Sequence, residues 1–259
     1  MGLQKLIKYA DSLENSKIRA EIWGDFVGWD NRRRGENGFL VNQLNKYHAK
    51  KILDVALGDG VDTIYLLEQD FEVSSNEIDD AFREKAIDNA KKKGFNITPT
   101  NLDWRDLSKS YSENSYDAVI CLGNSLTCVF EREDQSKSLQ EFYNILKPGG
   151  GLIIDERNLQ KILDNKEKVL SGELHSSGKY TYTGTNIVQA KFLDITDYSY
   201  FVQYSHQNGK KAYYYAYPFK KGEVQGLLVE AGFSRIEQYS DYELGENPEA
   251  DFYQYVCIK

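Results

Sequence analysis

Short apolar runs alternate with helix-like spacing along the middle of the chain. The first run, Lys51–Ala56, leads through a glycine-containing turn into helical spacing that begins near Val61. A second run, Phe71–Ser75, precedes a helix that Asp79 is placed to cap and that Gly94 ends. This alternation predicts a parallel sheet whose turns, at the carboxyl edge, bring backbone close to a ligand.

Three more strands are predicted in the same sheet. They are Ile97–Asn101, Asp117–Leu122 and, after a helix over about Asp134–Leu146, Gly151–Asp155. The second of these is a continuous apolar run, which is typical of a strand buried on both faces. The pattern therefore predicts an α/β fold with a doubly wound, mostly parallel sheet.

The pattern changes in the last third of the chain. Residues Glu173–Tyr217 are rich in Tyr, Thr and Val, which predicts three or four antiparallel strands with Gly209 in a hairpin turn. Helical spacing returns at Lys221–Ala231, and strands are predicted at Arg235–Tyr239 and Phe252–Ile258. The antiparallel strands are then expected to form an insertion that lies over the carboxyl edge of the parallel sheet, where the ligand binds.

These changes of pattern predict three parts. Residues 1–50 form a helical segment that covers the access to a substrate. Residues 51–171 and 218–259 form the doubly wound, Rossmann-like domain, and residues 172–217 form an antiparallel β insertion that acts as a lid. The turns of the doubly wound domain are where binding residues are expected.

Charge and cysteine content limit the classes of partner and binding site that this protein is expected to have. The 259 residues include 32 basic and 40 acidic side chains, a net charge of −8, which disfavours nucleic acids and anionic membranes as partners. No apolar run approaches the roughly 18 residues of a membrane span, and no signal peptide is visible, so we expect a cytoplasmic protein. The three cysteines have no paired spacing, so neither a disulfide framework nor a metal site is indicated. A small substrate fits these properties, and an oligomer is compatible with them.

The glycine turn suggests the cofactor. Thr63 stands where a dinucleotide-binding turn beginning at Gly58-x-Gly60 needs its third glycine, which disfavours a nicotinamide dehydrogenase. The form present is D-x-x-x-G-x-G with Asp54 in the strand, and an acidic residue, Glu77, follows 17 positions after the second glycine. This form is similar to motif I of the class I methyltransferases, which bind S-adenosylmethionine.

Further motifs make the resemblance more specific. They are Asp117-Ala-Val-Ile-Cys-Leu-Gly-Asn-Ser125, Pro148-Gly-Gly, Ile154-Asp-Glu-Arg-Asn158 and, upstream, Trp23-x-x-Phe26-Val-Gly-Trp-Asp-x-Arg. From about residue 20 to residue 217 the chain resembles the glycine N-methyltransferase family, which includes the glycine/sarcosine methyltransferases that make betaine. The resemblance implies S-adenosylmethionine-dependent methylation of glycine, sarcosine or dimethylglycine, by in-line transfer to a neutral amine. Turnover should then rise from neutral to mildly alkaline pH.

The resemblance also implies a cofactor site. Arg33 would hold the carboxylate of the methionine part, with its neighbours Arg32 and Arg34 as alternatives because the register is uncertain by one. Glu77 would accept both ribose hydroxyls. The other cofactor positions implied are Trp23, Phe26, Ala56, Gly58, Gly60, Ile78, Asp103, Trp104 and Leu122, among which Asp103 and Trp104 form the adenine-binding pair.

The predicted binding site for the methyl acceptor consists of Arg157 and a few polar side chains. Arg157 follows a buried strand, so it lies at the carboxyl edge and suits an amino-acid carboxylate, with Asn124 as a second hydrogen-bond donor. By resemblance, Tyr182 and Tyr200 reach the substrate from the insertion and are the catalytic candidates, because their hydroxyl dipoles face the moving charge. Cys128 stands where many relatives of the family have His.

Other interpretations stay open at this point. The chain would also suit an N-methyltransferase for another small amine, or a regulatory module that binds S-adenosylmethionine without turnover. The acidic charge argues against a nucleic-acid base methyltransferase. A serine hydrolase is excluded because Gly123-x-Ser125-x-Thr127 lacks the second glycine of a nucleophile elbow.

Overall fold

The structure is a computed structural model that describes residues 2–174 and 187–259. The helices in this part of the chain are α1 (Leu3–Ala10), α2 (Leu13–Val27), α3 (Trp29–Glu36), α4 (Phe39–Lys46), α5 (Val61–Glu68), α6 (Asp80–Lys92), α7 (Arg132–Ile145), α8 (Leu159–Asp164), α9 (Lys166–Ser171) and α10 (Glu223–Glu230). The strands are β1 (Lys51–Asp54), β2 (Glu72–Ser75), β3 (Tyr116–Cys121), β4 (Leu146–Arg157), β5 (Val188–Ile195), β6 (Tyr200–His206), β7 (Lys211–Ala216), β8 (Arg235–Ser240), β9 (Glu243–Leu244) and β10 (Phe252–Ile258). Two 3-10 helices, Trp104–Lys109 and Ser125–Cys128, flank β3. Of these helices, none has the length and apolar character that crossing a bilayer requires.

Seven strands form one sheet in the order β2-β1-β3-β4-β10-β8-β9. The first four are mutually parallel, and β10, β8 and β9 are added antiparallel beyond β4. A separate antiparallel sheet has the order β5-β6-β7. The predicted α/β fold, with its mostly parallel sheet and antiparallel insertion, is confirmed.

Both faces of the large sheet are covered by helices, as the apolar strands require. Successive residues of β1 face opposite sides: Leu53 shares a buried cluster with Phe142 of α7 and Leu227 of α10. Ile52 shares a different cluster with Leu44 of α4. Burying one such side chain stabilises the fold by roughly 1.5–3 kcal/mol, so packing on both faces holds the sheet and positions its carboxyl edge.

The small sheet packs on the N-terminal helices beside that edge. Ile22 and Val27 of α2 share a buried cluster with Tyr200 and Val202 of β6. Between β6 and β7, Gly209 has a φ of 90°, in the hairpin turn that the sequence predicted. Strand β6 and helix α2 therefore face the same space above the carboxyl edge.

Two predicted elements differ from the structure. The prediction of a strand at Ile97–Asn101 is wrong. Only an isolated parallel bridge joins Thr100 to Asn76, because this segment meets the edge of the sheet next to β2 at a single point. Strand β4 begins earlier than expected, since Tyr116 pairs with Leu146 before the register shifts at the Pro-Gly-Gly turn. The expected turn is present, but it forms a bulge within the strand rather than preceding it.

Candidate active site

A cavity of about 990 Å³ lies between the carboxyl edge of the parallel strands, α2 and β6. Most residues that the sequence assigned to a site line it: Trp23, Phe26, Ala56, Gly58, Glu77, Ile78, Asp103, Trp104, Leu122, Asn124, Arg157 and Tyr200. Gly60 and Arg33 are not in its wall. Tyr182 lies outside the described residues.

The two glycines of the first turn have different roles. Gly58 has a φ of 55°, and a Cβ added there would meet only the Ala56 carbonyl, at 4.0 Å. Gly60 has a φ of 96°, and a Cβ there would lie 3.1 Å from Ile64 and 3.4 Å from Ala86. Gly58 therefore leaves space on the cavity side, whereas Gly60 lets α5 and α6 approach the turn closely.

Glu77 follows β2 and ties the first two turns together. Its Oε2 accepts the backbone N–H of Gly58 at 2.8 Å, and its Oε1 accepts that of Asp79 at 2.9 Å. Desolvation raises the pKa of Glu77 to about 7, although the two backbone donors favour the charged form. Each oxygen keeps lone-pair capacity for a further hydroxyl donor.

One end of the cavity suits a flat base. The Trp104 indole donates from Nε1 to the Val55 carbonyl at 2.7 Å and packs edge-on against Phe142. The neighbouring Asp103 carboxylate accepts from the Arg105 guanidinium at 2.6 and 2.8 Å, and this pairing lowers its pKa. Ile78 also lines the cavity and is 60% exposed, so it offers an apolar surface that a ligand in the cavity would cover.

Two neighbouring arginines of α3 have different surroundings: one lines the cavity, and the other packs against Tyr65. Arg32 is buried, lines the cavity and donates to both oxygens of Asp62 at 3.1 and 2.8 Å. Arg33 instead pairs with Glu36 and Asp62, and its guanidinium lies 4.3 Å from the Tyr65 ring centroid. Burial opposes ionisation of Asp62, yet the two guanidinium groups hold its pKa below the usual range. The structure thus brings Arg32, not Arg33, to the cavity wall.

Aromatic rings form the roof of the cavity. Trp23 and Phe26 of α2 lie 5.6 and 4.7 Å, centroid to centroid, from Tyr204 of β6. Trp23 also contacts Phe82 of α6 at 5.7 Å. Since these rings come from three separate elements, their packing joins α2, α6 and β6 on this side of the cavity.

Asn124 organises the opposite end. It has a left-handed backbone, with a φ of 59°, and its backbone N–H donates to Asp155 at 2.6 Å. Its Oδ1 accepts the Arg157 backbone N–H at 2.8 Å, while its Nδ2 donates to the Tyr200 hydroxyl at 3.0 Å. The Asn124 side chain therefore holds the end of β4 and the hydroxyl of β6 in fixed relation.

Arg157 lies at the end of β4 with its guanidinium 4.6 Å from the Phe252 ring centroid. Within residues 2–174 and 187–259 this guanidinium has no ion pair. Burial raises the pKa of Tyr200 and of Tyr204, so both stay as neutral hydroxyls. A cation beside neutral hydroxyl dipoles suits a small anionic or zwitterionic ligand.

Sequence reasoning missed some cavity residues that a pattern could have found. Arg19 precedes Trp23 by four positions on α2, and Tyr204 follows Tyr200 by four on β6, so each shares a face with a residue already assigned. Tyr214 also lines the cavity. No pattern separated it from the other tyrosines, which number 19 in this chain.

A family profile described as a methyltransferase domain matches residues 52–150. The chain is 34% identical to the glycine/sarcosine N-methyltransferase of Halorhodospira halochloris over 92% of this chain and 85% of that protein. The chain belongs to the glycine/sarcosine N-methyltransferase family. A second member, the glycine/sarcosine N-methyltransferase of Aphanothece halophytica, is 34% identical over 98% of this chain and 93% of its own.

The fold agrees with membership of the glycine/sarcosine N-methyltransferase family. An S-adenosylmethionine-dependent methyltransferase from Clostridium acetobutylicum superposes with a TM-score of 0.66, over 88% of this chain and 91% of its own. The two sequences are 15% identical, so this likeness concerns the fold alone. The resemblance that the sequence motifs indicated is confirmed by the more similar relatives.

Proposed function

We propose that this family member transfers methyl groups from S-adenosylmethionine to the nitrogen of glycine and sarcosine. The observation that carries the proposal is the Arg157 guanidinium, which has no ion pair in the described part of the chain and lines the same cavity as Glu77. Two relatives that match nearly the whole chain are named for this activity. The acceptor is then an amino acid whose carboxylate pairs with the guanidinium.

The chain's own residues fit S-adenosylmethionine. Gly58 leaves a space that a Cβ would fill, and Glu77 offers two oxygens to vicinal hydroxyls. Asp103 and Trp104 suit the adenine, and Arg32 suits the carboxylate of the methionine part. When bound, the cofactor supplies an electrophilic methyl group.

The acceptor end would act by positioning. Arg157 binds the carboxylate, and Asn124 fixes both the Arg157 backbone and the Tyr200 hydroxyl, so that the amine is presented in one orientation. Because burial raises the pKa of Tyr200, it presents a hydroxyl oxygen rather than a phenolate to the developing positive charge. Tyr182 belongs to the same proposal through the family resemblance alone.

We extend the proposal to betaine synthesis. Successive methylation of glycine gives sarcosine, dimethylglycine and betaine, which serve as compatible solutes in osmoprotection. Such a role is a cytoplasmic one and requires only small-molecule partners. Whether this protein performs the last methylation is answered by the assay below.

The test is a mass-spectrometric assay in which glycine, sarcosine and dimethylglycine are offered separately with S-adenosylmethionine. We expect a methylated product and S-adenosylhomocysteine from glycine and from sarcosine, and at least about tenfold less of both products with Arg157→Ala at acceptor concentrations below the wild-type KM. Cofactor binding without methylation of any of the three would overturn the proposal and favour a regulatory module.

A further inference from the structure

Asp59 has the one buried carboxylate oxygen that lacks a hydrogen-bond partner within residues 2–174 and 187–259. The residue lies between the two glycines of the first turn and lines the active-site cavity, yet it is only 1% exposed. A buried carboxylate with an oxygen left unpaired is costly, because the hydration that it loses is not replaced. The position of Asp59 therefore points to a partner that a ligand in the cavity supplies.

The two oxygens of Asp59 have different surroundings. Oδ2 accepts the indole N–H of Trp29 at 2.8 Å, and a Cβ added at Gly24 of α2 would lie 3.4 Å from the same oxygen. Oδ2 is therefore held against the N-terminal helices, and Oδ1 is the oxygen left for a ligand. The main chain is fixed as well, because the Asn89 side chain donates to the Asp59 carbonyl at 2.9 Å.

The charge of Asp59 depends on its neighbours from α3 and α5. Burial raises the pKa of Asp59 to about 6, although the hydrogen bond from Trp29 and the backbone N–H of Val61 favour the charged form. The Asp62 charge raises this pKa further, whereas the Arg32 guanidinium lowers it. Asp59 is therefore mostly ionised at pH 7.5 in the free protein, and a cation at Oδ1 would pair with this charge.

The first turn places an anion and a cation of the cavity wall near the proposed ribose site. Asp59 directly follows Gly58, whose backbone N–H is accepted by Glu77. Arg32, which suits the carboxylate of the methionine part, lines the same cavity. An amino-acid group is a zwitterion, so its tight binding calls for an acceptor of its ammonium as well as donors to its carboxylate.

We propose that Asp59 binds the α-ammonium group of the methionine part of S-adenosylmethionine, while Arg32 binds the carboxylate of the same amino-acid group. This inference rests on the cofactor half of the proposed function and adds a binding residue to it. The acceptor amine suits Asp59 less well. A carboxylate beside that amine would favour the charged ammonium form, which has no lone pair to attack the methyl group.

The test is a calorimetric titration at pH 7.5 with two ligands that differ only in the α-amino group. They are S-adenosylhomocysteine and 5′-S-(3-carboxypropyl)-5′-thioadenosine, which lacks this amino group and keeps the carboxylate. Because hydrogen bonds between charged groups are strong, the wild type should bind S-adenosylhomocysteine at least about tenfold more tightly than the deaminated analogue. A preference below about threefold in the wild type would overturn the inference without any variant.

A variant assigns this preference to Asp59. Asp59→Asn removes the charge and keeps an oxygen that can accept from Trp29. It should weaken S-adenosylhomocysteine binding at least about tenfold and change the affinity for the deaminated analogue by no more than about threefold. The matched control Asp88→Asn removes a charge from an exposed position of α6 and should leave both affinities within about twofold of the wild type. Urea unfolding checks that each variant is folded, and Asp59→Ser carries the same expectations if Asp59→Asn is not.

The outcomes separate this inference from the proposed function. Equal weakening of both ligands in a folded Asp59 variant would mean a structural role and overturn the inference, as would unchanged binding of both. If the wild type binds S-adenosylhomocysteine with the expected preference but methylates none of the three acceptors, the proposed function fails and the assignment of Asp59 holds. If the wild type does not bind S-adenosylhomocysteine, both fail.

Discussion

At the scale of single residues, an acidic and a basic side chain of the cavity wall have different partners. Glu77 accepts two backbone donors, and Arg157 has an aromatic ring as its neighbour. The carboxylate of Asp103 is compensated by Arg105. Glu77 follows β2 and Arg157 ends β4, and β1 and β3 lie between these two strands, so the two side chains are separated along the sheet edge in a way that suits a nucleoside near Glu77 and a carboxylate near Arg157.

The raised pKa of Glu77 makes cofactor binding depend on pH. Hydroxyl donors bind an ionised carboxylate better than a protonated one, and this group is protonated below about pH 7 in the free protein. We expect the affinity for S-adenosylhomocysteine to weaken as pH falls from 8 to 6, by at most about tenfold per unit. Isothermal titration checks this, and the dependence should disappear in Glu77→Gln with an affinity about tenfold lower at pH 8.

Replacing Arg157 should weaken binding of the acceptor and leave binding of the cofactor unchanged. Loss of a charge-assisted pair costs about 2–3 kcal/mol, so Arg157→Ala should raise the acceptor KM by roughly 30- to 150-fold. Arg157→Lys should recover part of this, because it restores the charge without the paired donors. The finding that would count against this role is a weakened affinity for S-adenosylhomocysteine together with an unchanged acceptor KM.

Individual binding residues were predictable where they follow a strand. Glu77 and Arg157 come directly after apolar runs, so their position at the carboxyl edge follows from the fold. The distinction between Arg32 and Arg33 was not predictable, because both side chains pair with Asp62 and they differ in which one lines the cavity and which one packs on Tyr65. That distinction is a matter of helix orientation, which the local sequence does not encode.

At the scale of elements, the glycine turn separates ligand binding from helix packing. We expect Gly60→Ala to lower the free energy of unfolding by about 2 kcal/mol or more, because strained φ adds to close contacts with Ile64 and Ala86. Gly58→Ala should cost only about 1–2 kcal/mol of strain but should weaken S-adenosylhomocysteine binding more than tenfold, since its Cβ enters cavity space. Urea unfolding and calorimetric titration of both variants check this. Equal losses of stability in the two variants would contradict the assignment.

Strand prediction succeeded in the interior of the sheet and failed at its edge. The apolar run in β3 is buried on both sides, so composition alone identifies it. The segment Ile97–Asn101 has a partner on one side only, and a single bridge at Thr100 is all that forms. Edge pairing depends on tertiary neighbours, and for that reason a local pattern does not determine it.

At the scale of the whole molecule, several buried carboxyl groups resist ionisation. Burial raises the pKa of Asp59 to about 6, of Glu36, Asp54 and Glu77 to about 7, and of Glu156 to about 8. The folded state then binds more protons than the unfolded state between about pH 4 and these values. The free energy of unfolding should therefore fall as pH rises from 5 to 8. Glu237 has the opposite shift, to about 2, through its contact with Lys46, and favours folding above about pH 4.

Glu156 offers a direct test of this pH dependence. It is buried in β4, where the Tyr255 hydroxyl donates to it at 2.7 Å, and an amide oxygen would accept the same bond. Glu156→Gln should reduce the decline in unfolding free energy between pH 6 and 8, by at most about 1.4 kcal/mol per pH unit. Urea unfolding at four pH values checks this, with Glu133→Gln on the exposed face of α7 as the control. A decline as steep as that of the wild type would mean that Glu156 is ionised in the folded state.

The proposed function requires that one cavity holds the methyl donor and an amino-acid acceptor side by side. A crystal structure with S-adenosylhomocysteine and sarcosine would test this. We expect the sarcosine carboxylate within hydrogen-bonding distance of the Arg157 guanidinium, its nitrogen facing the sulfur atom, and the ribose hydroxyls on Glu77. A sarcosine carboxylate bound away from Arg157, with its nitrogen turned from the sulfur, would contradict it.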